Sequence, residues 1–81
     1  MSFNDRRALE MLPDRIAALQ TEIARLNAIL TDPDLYARDP GRFDGATQAL
    51  AVAQGELTAA EEQWLILEML REEIDDAEQK T

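Results

Sequence analysis

Three pairs of adjacent carboxylates, Glu61-Glu62, Glu72-Glu73 and Asp75-Asp76, are the side chains in this sequence best suited to acid–base or metal chemistry. Adjacent residues on a helix point about 100° apart, so the two members of each pair do not converge on one atom. The chain has no histidine and no cysteine. That removes the commonest general base and the thiolate metal ligand. Nor is there a glycine-rich loop to cradle a phosphate. Asp39-Pro40-Gly41-Arg42 places a helix N-terminus beside an arginine, a combination that holds anions. Asp39, however, is itself a good N-cap, and its carboxylate competes for the same amides. The sequence therefore predicts no catalytic residues, no cofactor and no metal, and the chain is not expected to be an enzyme.

Charge divides the chain in two. Residues 1–42 hold six arginines and seven acids, whereas residues 43–81 hold two bases and ten acids, within a net charge of -9. Such a balance opposes non-specific adhesion to nucleic acid. Any nucleic-acid contact must fall on the first half, and the candidates are Arg15, Arg25, Arg38 and Arg42. Arg38 and Arg42 lie close in sequence to Tyr36, which either stacks on a base or packs under its own loop. The second half offers a different feature. Ile66, Met69 and Leu70 stand at i, i+3 and i+4, so they share one helix face. That face is a candidate protein interface, including a homodimer interface, unless Phe3 of the N-terminal segment covers it.

The elements that must position these residues are legible from apolar spacing. Leu9, Leu12, Ile16, Leu19, Ile23, Leu26 and Leu30 alternate at intervals of three and four. This is a heptad seam, with positions a at 9, 16, 23 and 30 and positions d at 12, 19 and 26. Ser2 followed by Asp5 reads as a variant capping box opening the helix near Phe3. Pro13 falls inside the seam and predicts either a kink or a restart with the proline at the first helical position. The pattern stops at Asp32-Pro33, and a second Asp-Pro pair follows at Asp39-Pro40. Between them a short helical turn is expected over Pro33 to Ala37. Beyond, Phe43, Leu50, Leu57 and Trp64 repeat every seven residues, as do Ala46, Ala53, Ala60, Leu67 and Ile74. Two heptad helices with a short connection fold back as antiparallel neighbours.

Pairing the two seams gives layers such as Leu26 with Leu50, Leu19 with Leu57, Leu12 with Trp64 and Leu9 with Leu67. Asp5 then stands opposite Arg71. The predicted fold is all-α: a two-helix antiparallel coiled-coil hairpin, kinked near Pro13, with a short helical turn at the tip. Its parts are a first segment over 1–12, the hairpin over 13–78 with its tip at 32–42, and a fraying acidic tail ending in 79–81. Such a rod is not expected to form a concave pocket. No stretch approaches the length of a membrane span, and the polar N-terminus does not read as a signal peptide. The sequence therefore predicts a soluble, cytoplasmic protein.

Taken together, these residues resemble the C-terminal coiled-coil domain of ABC-F ATPases of the Uup type. The resemblance covers about residues 2–72. It rests on Ser2-Phe3, Arg7-Ala8-Leu9-Glu10, Leu12-Pro13 and Ile16-Ala17-Ala18-Leu19. It continues through Asp32-Pro33-Asp34-Leu35-Tyr36, Asp39-Pro40-Gly41-Arg42-Phe43 and Ala60-Glu61-Glu62-Gln63-Trp64-Leu65. The double Asp-Pro tip and the tryptophan ending are its specific parts, since heptads alone are common. The resemblance implies an arm of a larger ATPase with ABC cassettes upstream, the Walker and signature motifs being absent here. It also implies contact with DNA, including branched DNA, or with ribosomal RNA. Ile66 and Met69 stand where the family usually has acids, and the family is more basic overall.

Overall fold

Ser2 opens the first helix by accepting a hydrogen bond on Oγ from the Asp5 amide, at 3.2 Å. This satisfies one of the donors that a helix start leaves free. In the computed structural model, which describes residues 2–79 and their side-chain surroundings through Ile74, three helices follow in order. They are α1 (Phe3–Leu30), α2 (Leu35–Arg38) and α3 (Pro40–Gln79). α1 and α3 pack along each other, and the direction is set by which residues meet. Leu12 and Leu19 cluster with Ala60 and Leu67, whereas Leu26 clusters with Ala46 and Ala53. Rising numbers on α1 meet falling numbers on α3, so the chain is an antiparallel helical hairpin, measuring 66 × 18 × 14 Å.

The heptad positions sort by depth. Leu12, Leu19 and Leu26 on α1, and Ala46, Ala53, Ala60 and Leu67 on α3, are all buried. The a positions Leu9, Ile16, Ile23, Leu30, Leu50 and Leu57 are half-buried along the flanks. Three alanines among the α3 d positions let the backbones approach closely there, with large side chains filling the space opposite. Trp64 departs from this pattern. It was expected in a layer with Leu12 and is instead the most exposed of the seam residues, at 36%.

α1 does not restart at Pro13; it is one helix with the proline inside it. A proline within a helix costs about 3 kcal/mol through the lost hydrogen bond and the crowded preceding turn. Burial on both sides of it offsets that cost. Ala8, Leu9 and Leu12 before the proline pack in the same cluster as Ile16 and Leu19 after it. Each large side chain fully buried contributes about 1.5–3 kcal/mol.

The tip corrects a second expectation. The short helix begins at Leu35 instead of Pro33. Asp32 does not cap a helix at its proline; it closes a tight turn, with Oδ1 accepting from the Asp34 amide at 3.0 Å and its carbonyl accepting from the Leu35 amide at 3.2 Å. This side-chain mimic of a turn is a habit of aspartate. Leu35 is then buried beneath the tip at 2% exposure and anchors it to α3. The second Asp-Pro pair behaves as its sequence suggests: Asp39 Oδ1 accepts from the Arg42 amide at 3.1 Å, and Pro40 opens α3. The pairing expected between Asp5 and Arg71 is not formed. Arg71 bonds Glu68 instead, three residues back on its own helix. That spacing is always within reach, whereas the short Asp5 side chain must span the groove between helices. α3 continues to Gln79, and Lys80 and Thr81, where most of the fraying tail was expected, lie outside the described residues.

Candidate nucleic-acid interface

The four arginines singled out from the sequence occupy three places. Arg38 sits at the tip on the last turn of α2, where its guanidinium donates to Asp32 Oδ2 at 2.8 Å. Arg25 lies midway along α1 and bonds Glu22 on the same helix. Arg15 reaches across the hairpin to Glu56 on α3 at 3.2 Å. Arg42, in the first turn of α3, has no carboxylate partner among the described residues. The structure brings two of them together: Arg25 and Arg42 border one open groove of about 360 Å³ floored by Leu26, Ile29 and Ala46. Arg15 is remote from that groove, and Arg38 stands apart from it at the tip.

The tip also carries the aromatic pair. Tyr36 and Phe43 meet edge to face, with ring centroids 5.2 Å apart and planes at 85°. Phe43 is half-buried against the seam, whereas Tyr36 remains 62% exposed. Tyr36 is thus held by Phe43 while most of its surface faces solvent.

Charge at these sites is locally matched. The guanidinium of Arg38, followed by the Asp34 amide, holds the Asp32 carboxyl below its ordinary value. The hydrogen bond from Arg25 does the same to Glu22, and Glu22 in turn raises the Arg25 guanidinium. Every arginine in these pairs is more than half exposed. Such exposed ion pairs contribute little to stability, so these arginines are only loosely held by their carboxylates. Among the described residues no cluster of acids has the arrangement of a metal site.

One concavity was not foreseen. Pro13, Ile16, Glu61, Glu62, Trp64 and Leu65 line an open groove of about 560 Å³ on one flank near the base of the hairpin. The expectation that a two-helix rod lacks a concave pocket is corrected there, with Trp64 among the residues of its wall. The groove is largely apolar, and its glutamates stay exposed. Trp64, the largest side chain on the line of Phe43, Leu50 and Leu57, was the signal for it. As for the candidate protein interface, Ile66, Met69 and Leu70 are 59%, 55% and 41% exposed. Phe3 does not cover them, being itself 74% exposed.

Comparison with known proteins places this architecture. Residues 1–69 match the family model for the ABC transporter C-terminal domain. The chain belongs to that family. It is 34% identical over 68 residues to an ATP-binding protein Uup-like and, at the same identity and length, to the ATP-binding protein Uup, both of Haemophilus influenzae. Each alignment takes in 84% of this chain but only 15% and 10% of the respective relative, so the chain spans a small part of their length. No solved structure matches it. The resemblance drawn from the double Asp-Pro tip and the tryptophan ending is thereby borne out. The chain is a C-terminal domain of ABC ATP-binding proteins and is not itself their catalytic domain. No helix among the described residues is long and apolar enough to cross a membrane.

Proposed function

We propose that this hairpin is a coiled-coil arm of a larger ABC-type, cytoplasmic ATP-binding protein, with ATPase cassettes upstream, and that its tip contacts DNA or ribosomal RNA. The observation that carries the reading is the tip itself. An exposed Tyr36 steadied by Phe43 stands beside Arg38 and Arg42, at the far end of a 66 Å rod. Aromatic stacking accepts any base, and each arginine supplies a phosphate contact. Arg25, sharing a groove with Arg42, and Arg15 further along α1 extend the track toward the base. The net charge of -9 restricts the contact to this region, because the remainder of α3 repels phosphate. Length suits the role, since a narrow arm reaches a nucleic acid that the bulk of a large protein does not.

The reading is tested by fluorescence anisotropy with labelled duplex DNA, branched DNA and an RNA hairpin across a salt series. Binding is expected to weaken steeply with salt, with a logarithmic slope of about -0.9 per phosphate neutralised on duplex DNA. Arg42→Ala should lower that slope by about one, and Tyr36→Ala should cost about 1–3 kcal/mol of stacking without changing it. Affinity that is flat with salt, or absent at low salt for all three probes, rejects the reading.

A further inference from the structure

The grooves along the hairpin differ in charge. Near the tip, Arg25 and Arg42 border one of them. Another, beside Leu19, holds Glu22 and Glu56, and these already bond Arg25 and Arg15. The groove beside Pro13 is different. Glu61 and Glu62 line it, no basic residue does, and neither glutamate belongs to an ion pair among the described residues. The rest of its lining is apolar, with Trp64 as the aromatic member at 36% exposed.

We propose that this groove docks an arginine-bearing apolar segment of a partner protein. The guanidinium lies among Trp64, Glu61 and Glu62, and its aliphatic neighbours cover Ile16 and Leu65. Charge complementarity argues for a cation. Free carboxylates beside an indole attract one through their own charge and through the negative face of the ring. Arginine suits the site better than lysine, because its planar guanidinium stacks on aromatic rings and has five donors to share between two carboxylates. A metal ion does not suit it. Neighbouring helical residues point about 100° apart, so Glu61 and Glu62 border a groove without closing on one atom. The same carboxylates repel nucleic acid. Shape then argues for a chain segment over a small free cation. The groove is open and about 560 Å³, with Pro13, Ile16 and Leu65 among its residues. A lone cation would leave that apolar lining in water, whereas a segment with aliphatic side chains removes it from water. The groove lies near the base, so its occupant leaves the arginine-bearing tip free.

The test uses a short synthetic peptide of leucine, alanine and arginine, and a matched peptide with glutamine in place of arginine. Each is titrated into the chain at 0.15 M salt while tryptophan emission is followed. Trp64 is the single tryptophan, so the signal comes from the groove itself. The arginine peptide is expected to cover the indole and give a saturable blue shift, with the glutamine peptide at least about tenfold weaker. Glu61→Gln with Glu62→Gln should weaken the arginine peptide by a similar factor, with helicity retained in circular dichroism because both residues are exposed. Glu72→Gln with Glu73→Gln removes the same charge about 15 Å further along α3. That is beyond the Debye length of about 8 Å, so this variant should bind within about twofold of the wild type. Absence of a saturable shift overturns the proposal. Equal binding of the two peptides overturns it by making the groove a merely apolar surface. Equal losses in the two glutamine variants overturn it by assigning the binding to bulk charge. A shift that grows with the concentration of the chain alone gives the groove to a second copy and overturns it as well.

Discussion

Asp32 does more at the tip than its position in the sequence suggests. One carboxylate oxygen holds the turn by accepting from the Asp34 amide, and the other holds Arg38. Both favour the charged form, and the arginine is the larger influence. Arg38→Ala should therefore raise the Asp32 pKa toward the ordinary carboxylate value without fully restoring it, because the Asp34 amide remains. A carboxyl-carbon titration by NMR reads this directly, and an unmoved Asp32 would mean that the pair does not persist in solution. These partnerships differ in how far the sequence reveals them. Arg25 with Glu22 is a three-residue spacing on a helix, visible to any reader of the pattern. Arg38 with Asp32 depends on a turn whose aspartate chose a backbone amide over a helix cap. Arg15 with Glu56 joins residues 41 apart and needs the register of the whole hairpin.

At the scale of the helices, the heptad spacing was enough to give two long helices and their antiparallel pairing. What it could not give was depth within the seam. The a and d positions look alike in the pattern, yet the d positions are buried and the a positions only half so, because small alanines bring the helices together along the d line. Trp64, exposed on the flank, lines the groove beside Pro13, a consequence of side-chain volume that periodicity does not record. Glycine is the other unevenness in α3. A Cβ built on Gly55 meets nothing within 4 Å, and the residue is exposed within a continuous helix. Gly55→Ala should therefore stabilise the hairpin by about 1 kcal/mol, the usual difference in helix propensity. In a domain of this size that raises the thermal midpoint by about 4–8 °C, followed by circular dichroism. An unchanged midpoint would mean that α3 is already frayed at Gly55 before the hairpin melts.

For the whole molecule, shape and charge act against each other. A rod 66 Å long and 14–18 Å across buries a thin core, and it must hold together under a net charge of -9. Four ion pairs are present among the described residues, all with exposed arginines, so their sum is small. The self-repulsion of α3, whose side of the chain carries nearly all of the excess charge, is spread over many residues and is therefore the larger effect. Added salt screens both, with a Debye length of about 10 Å at 0.1 M. If the pairs dominated, salt would lower the thermal midpoint. Because repulsion dominates, the midpoint should rise with sodium chloride. Acid gives a second, independent check. Glu22 and Asp32 have lowered folded-state values, so each contributes stability above the ordinary carboxylate range, lost as pH falls through the lowered value. Approaching the isoelectric point near 4.2 meanwhile removes the excess negative charge. The midpoint should climb as pH drops from neutral toward that point, and the contribution of Glu22 and Asp32 should be lost between the ordinary carboxylate range and their lowered folded-state values. A midpoint that falls steadily from neutral pH, together with one that falls with salt, would assign the stability of the hairpin to its ion pairs and not to its leucine and alanine seam.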